Sequence, residues 1–183
     1  MTVLVTHARR PLARRNTFAG LNALGRDQFE GYASLFGVRD GAGDMVAPGA
    51  FAASLRQRGP ADVRLLYQHF AHAPIGVWEE IAEDRRGLYV RGRLSSDVEQ
   101  ARDVRALLAE GALSGLSIGF RTVRAARQGN MKTGGRLLQQ VDLWEISVVT
   151  FPLLAGSQVT AIGSQNALAQ IFRDGSAALR AAE

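Results

Sequence analysis

The chain has 183 residues, enough for one domain, and folding at that length buries about 70% of the unfolded chain's surface. It contains no cysteine, which excludes a disulfide framework, a thiolate nucleophile and any Cys-ligated zinc or iron–sulfur site. Hydrophobic residues make up 46% and charged residues 21%, as in globular rather than disordered chains, with a net charge of +5.

That charge has a location. Residues 1–26 hold Arg9, Arg10, Arg14, Arg15 and Arg26 and no acid, so the remainder of the chain is balanced. The segment has no sustained period and contains Pro11, Gly20 and Gly25. It is expected to be a basic flexible arm, serving either as a docking or removable leader or as an inert tail. Because the body is neutral, nucleic acid is not expected to be the main partner. No apolar run approaches the length of a transmembrane helix. The short stretch 1–5 meets His7 and the arginines too soon for a secretory signal. A soluble, cytoplasmic protein without membrane contact is the expectation.

A strand is predicted over 28–36, followed by a turn at Asp40-Gly41-Ala42-Gly43-Asp44. Pro48 suits the first turn of a short helix over 50–57, closed by Gly59-Pro60. Residues 63–69 read as a strand in which Val63, Leu65, Tyr67 and His69 share a face. Segments 74–81 and 87–94 form a predicted hairpin around the polar turn Glu83-Asp84-Arg85-Arg86.

Ser96-Asp97-Val98-Glu99 has the form of a capping box, with apolar spacing at Ala101, Val104, Leu107 and Leu108 beyond it. A helix over 97–110 follows, closed by Gly111. Strands are then predicted at 116–123 and 137–151, separated by a polar loop and ended by Pro152. A last strand at 158–162 precedes an Ala-rich helical tail over 166–182. The folded domain is therefore expected to span 27–163, with 164–183 as the tail. Strands joined by hairpin-sized turns outnumber helices, which points to an α+β fold: a mostly antiparallel sheet or barrel with flanking helices.

The most informative segment is Gly115-Leu116-Ser117-Ile118-Gly119-Phe120. Strand alternation puts Ser117 on one face between two glycines. Glycine in a strand commonly marks the close approach of another backbone; here that is either a tight sheet crossing or a peptide beside a nucleophilic serine. The same residues match G-x-S-x-G, the nucleophile elbow of α/β-hydrolases. That match is rejected on two grounds. The elbow leads into a helix, whereas Phe120-Arg121-Thr122-Val123 continues a strand, and no histidine follows Ser117.

A serine hydroxyl needs a neighbouring base to take its proton. His69, closing an apolar strand, is the candidate, although a histidine at a strand end is also a common structural residue. His69-x-x-His72 has a metal-ligand spacing, but no third histidine or cysteine accompanies it. Neither metal nor cofactor is expected. Glu145 is the one acid inside the apolar run Leu143-Trp144-Glu145-Ile146-Ser147-Val148-Val149. A carboxylate there needs a partner or a solvent-facing position. A histidine would serve as that partner, with Asp142 at the strand's polar entrance as the other acid.

Together these segments resemble the prohead (procapsid) maturation protease family of tailed phages, distantly related to the herpesvirus assemblins. The resemblance covers about 29–162. It rests on Phe29-Glu30-Gly31-Tyr32-Ala33, Gly43-Asp44 through Pro48-Gly49-Ala50-Phe51, Leu65-Leu66-Tyr67-Gln68-His69 and Pro74-Ile75-Gly76. Gly87-Leu88-Tyr89-Val90, the Ser117 segment and the Glu145 segment before Pro152 complete it.

The resemblance implies an assemblin-like β-barrel surrounded by helices, and a serine endopeptidase with His69 as general base and Ser117 as nucleophile. Assemblins place a second histidine after the serine, which this chain lacks. Glu145 stands in that place in chain order and is assigned the orienting role, with His72 as the alternative. The implied substrates are the scaffold or the N-terminal region of the major capsid protein, together with the protease itself. Its implied place is inside the immature capsid as it assembles in the cytoplasm. The helix from Asn166 is a candidate homodimer interface.

Overall fold

The computed structural model describes residues 24–128 and 135–163. Most of the basic arm (1–23), the centre of the polar loop (129–134) and the Ala-rich tail (164–183) therefore lie outside the described residues.

Among the described residues eight strands form one sheet: β1 (Gln28–Leu35), β2 (Met45–Val46), β3 (Arg64–Tyr67), β4 (Pro74–Glu83), β5 (Gly87–Leu94), β6 (Gly115–Gln128), β7 (Gly135–Val149) and β8 (Gln158–Ile162). Seven of them close into a barrel in the order β7-β3-β4-β5-β1-β8-β6, with β6 returning to β7. The two-residue β2 adds to the outer part of β7. Pairing is mixed. Antiparallel pairs dominate, but β3 and β2 both run parallel to β7. Two helices accompany the barrel among the described residues, α1 (Ala52–Gln57) and α2 (Glu99–Ala109), with a 3-10 turn at Pro60–Asp62.

The core is the apolar face that strand alternation assembles: Phe29, Leu65, Ile75, Leu88, Val90, Leu116, Leu143 and Ile146 are all fully buried. Phe29 meets Trp78 edge-on, with ring centres 5.5 Å apart. The hairpin of β4 and β5 is longer on its first arm than periodicity suggests, because β4 continues to Glu83. Backbone hydrogen bonds to β5 hold these extra residues, whose side chains are half-buried.

Several local expectations are corrected. The helix at 97–110 starts later, at Glu99, with Val98 at its N-cap and no side-chain cap. Ser96 bonds its neighbour Asp97 instead, so the capping box is not formed. Pro48 lies before α1 rather than in its first turn, since Gly49 takes a left-handed φ of 84° that a helix does not permit. The strand expected over 63–69 covers only Arg64–Tyr67. Gln68 and His69 leave it in the left-handed region, with φ of 53° and 62°.

The loop between β1 and β2 is fastened to the barrel by Asp44, whose buried carboxylate accepts from the backbone N–H of Arg136 at 2.9 Å and from its Nε at 3.1 Å. The Arg136 side-chain hydrogen bond is the main reason that the Asp44 carboxyl is held below its ordinary value of 3.8. Stability linked to a lowered carboxyl is present above the unfolded value and is lost as pH falls through the folded one. Asp44→Asn is therefore expected to lower the urea midpoint at pH 7, and the gap to wild type should narrow once pH drops below 3.8. Equal gaps at pH 7 and pH 3 would show that the ion pair contributes nothing.

Candidate active site

The site forms where β3 ends against the C-terminal part of β7. Parallel register sets Leu66 beside Ser147 and Tyr67 beside Val148, so the chain leaving β3 passes directly over the end of β7. There it turns. Two successive left-handed residues that are not glycine cost on the order of 1–3 kcal/mol each unless the surroundings hold them. Here Gln68 donates its N–H to the Val148 carbonyl at 3.0 Å, and its side-chain amide donates to Thr150 Oγ1 at 2.7 Å. Phe70 N–H closes the turn on the Tyr67 carbonyl at 3.0 Å. His69 is thereby aimed back across β7.

Its ring bridges two residues on the facing strands. Nδ1 lies 2.7 Å from Glu145 Oε1, and Nε2 lies 2.9 Å from Ser117 Oγ. A carboxylate can only accept, so Nδ1 carries the proton in the neutral ring and Nε2 is free to accept from the serine hydroxyl. Ser117 and Ser147 are directly opposed across β6 and β7, and Gly119 is opposed to Glu145. These four positions share one face. The Ser117 side is nearly closed to solvent, whereas the His69 side chain is 45% exposed, so the pair opens toward the surface.

A β-bulge makes this face possible. Gly119 pairs with Glu145 but Phe120 pairs with Leu143, which leaves Trp144 as an extra residue in β7. Leu143 and Ile146 both point into the core, three positions apart rather than two. Without the extra residue, continued alternation from Leu143 would turn Glu145 and Ser147 inward. With it they face the histidine, and Trp144 is displaced into solvent.

Of the two uses that glycine spacing suggests, crowding within the protein describes both positions. A Cβ at position 119 would press on Glu145, 2.7 Å from its carboxyl carbon. A Cβ at 115 would lie 2.5 Å from the Val149 backbone carbonyl oxygen and 2.8 Å from the Pro152 ring. The space beside Ser117 is taken by the protein's own acid and loop, not left for a visiting backbone.

Ser147, which sequence reasoning left as a bystander, is fully buried within this cluster. Its hydroxyl donates to Glu145 Oε2 at 2.6 Å and accepts from the His69 backbone N–H at 3.1 Å. The signal that could have found it is its period-2 relation to Glu145 on the same strand.

The remaining candidates lie elsewhere. His72 is exposed, stacked on Phe70 with ring centres 5.5 Å apart, and is not part of the cluster. Both ring nitrogens of His69 are already engaged, so the His69-x-x-His72 pair is not arranged around a common point. Asp142 belongs to a separate surface network. It accepts from the Trp144 indole N–H at 2.8 Å and from Arg58 at 3.1 Å, contacts that hold its carboxyl below the ordinary range.

A model of the caudovirus prohead serine protease family matches residues 16–170. The prohead protease of Enterobacteria phage HK97 is 36% identical over 145 residues, covering 78% of this chain and 63% of that protein. The chain thus spans less than two thirds of that relative's length. The crystal structure of KSHV protease in complex with a hexapeptide phosphonate inhibitor superposes with a TM-score of 0.52 at 11% identity. That likeness, one of fold, covers 82% of this chain and 76% of the other. Given the extent of the family match, this chain belongs to the caudovirus prohead serine proteases.

Proposed function

We propose that the protein is a serine endopeptidase acting inside the immature capsid, where it cleaves the scaffold or the N-terminal region of the major capsid protein, and itself. The observation that carries this reading is the unbroken chain of short contacts from Glu145 through His69 to Ser117. Family membership supplies the substrate class.

In this mechanism His69 Nε2 takes the proton of Ser117 as the hydroxyl oxygen attacks a scissile carbonyl. The imidazolium that forms is held by the Glu145 carboxylate on Nδ1, which also keeps the neutral ring in the tautomer that accepts at Nε2. The proton then passes to the leaving amine. Water repeats the cycle on the acyl-enzyme and releases the new C-terminus.

Substrate can approach as an added strand. Leu116 donates its N–H to the Ser157 carbonyl at 2.9 Å, but β6 pairs with β8 only at Gly115. Beyond that point this edge of β6 has no paired strand among the described residues. Alternation from Leu116 directs the main-chain groups of Ile118 toward the same open edge, one residue from the nucleophile. An extended peptide laid there would gain backbone hydrogen bonds with little demand on its sequence.

Two variants test the reading. Ser117→Ala, co-expressed with the capsid protein, is expected to slow cleavage by about four orders of magnitude or more. Cleavage persisting at the wild-type rate would instead leave a non-catalytic assembly protein on the same fold. Gly119→Ala is expected to displace the Glu145 carboxylate while the barrel stays folded, because the group it presses on is the end of a flexible side chain. Its cleavage rate should fall about a hundredfold or more, and its thermal midpoint should also drop as the displaced carboxylate loses its donors. A fully active Gly119→Ala protein would remove Glu145 from the mechanism.

A further inference from the structure

We propose that Ser147 is a positioning residue of the same site, the hydroxyl through which the orienting acid and the base are fixed to each other. This rests on the peptidase reading, in which Glu145 and His69 have those roles.

The hydrogen-bond arithmetic of the cluster leads to it. A glutamate carboxylate that is only 13% exposed has two oxygens to satisfy. His69 Nδ1 serves Oε1 and Ser147 serves Oε2, so the carboxylate is gripped at both ends and cannot rotate about its last bond. The Ser147 hydroxyl has one proton to give and lone pairs to offer. It gives the proton to the acid and offers a lone pair to the His69 backbone N–H. Those two contacts define the ends of one closed loop: hydroxyl, carboxylate, imidazole and the histidine's own amide.

The closure matters because His69 sits in a backbone region that a side chain resists. Gln68 is secured by Val148 and Thr150, whereas the His69 N–H is secured by Ser147 alone among the contacts of this turn. Ser147 is itself rigid. It lies near the C-terminal end of β7, but is paired with Leu66 on one side and Ser117 on the other and is fully buried. A buried hydroxyl can be present only to satisfy its neighbours, but here both neighbours belong to the reacting chain of contacts.

The test uses the full chain and diisopropyl fluorophosphate, which needs no knowledge of the natural substrate. Ser117 Oγ bonds to phosphorus, fluoride leaves, and the serine proton departs through the imidazole. Ser147→Ala is expected to slow labelling of Ser117 about tenfold, but less than about twofold when Glu145→Ala is already present, because the two groups act as one unit. Equal slowing in both backgrounds, or an unchanged rate in a folded Ser147→Ala protein, overturns the proposal. Wild type that is not labelled at Ser117 would instead count against the peptidase reading.

Hydrogen exchange on wild type is independent of whether the variant folds. The His69 amide is expected to be protected about a hundredfold or more, despite its place in an exposed turn. An unprotected His69 amide overturns the proposal.

Discussion

A carboxylate taken out of water must be met by donors, and in this protein meeting that demand organises the whole site. Glu145 lies on a strand whose neighbours are apolar, across from a glycine that leaves room for its side chain. Two donors answer it: an imidazole from the turn after β3 and a hydroxyl two residues along its own strand. Removing either would leave a nearly buried charge partly unsatisfied, which costs more than the hydrogen bond itself contributes. The geometry that orients the histidine is therefore also the geometry that makes the acid tolerable.

Two irregularities of the backbone produce that arrangement. The extra residue Trp144 reverses the sidedness of β7 midway, so that one strand fills the core on both sides of the bulge and still presents Glu145 and Ser147 outward. The left-handed pair Gln68 and His69 folds the chain back over this face at a conformational cost. Each is unfavourable or neutral on its own. They coexist because the parallel register of β3 on β7 places the turn where Val148, Thr150 and Ser147 can hold it. Strain located at a reacting group and compensated by its surroundings is the usual pattern for a functional site.

The closed barrel explains why these pieces stay in register. β6 and β7 run antiparallel over almost their whole length, so Ser117 cannot shift relative to Ser147 without moving an entire hairpin. Among the described residues the opposite edge of β6 is unpaired beyond Gly115, next to Ser117, the proposed nucleophile. A paired side that sets the distances among His69, Ser117 and Glu145 and an open side, where the proposed peptide would lie, meet at one residue. The same barrel underlies the likeness to KSHV protease, one of fold at 11% identity.

Much of this was determined by the sequence alone. The order of strands, the hairpin at 83–86, α2 and the last strand follow from local period and turn chemistry, because burial of one face imposes alternation on neighbouring residues. Glu145 stands out because an apolar run makes a carboxylate costly, Ser117 because two glycines flank it on one strand face, and His69 because it closes an apolar strand; the roles assigned to them rest on the family resemblance. What only tertiary structure decided is how those groups meet. A bulge is one added residue with no compositional mark, so alternation from Leu143 alone would have turned Glu145 into the core. The ending of β3 two residues before His69, the role of Gly119 as space for an acid, and the engagement of Ser147 all depend on what lies across the sheet. Periodicity reports which side of its own strand a residue occupies; only long-range pairing sets which atom of another strand stands opposite.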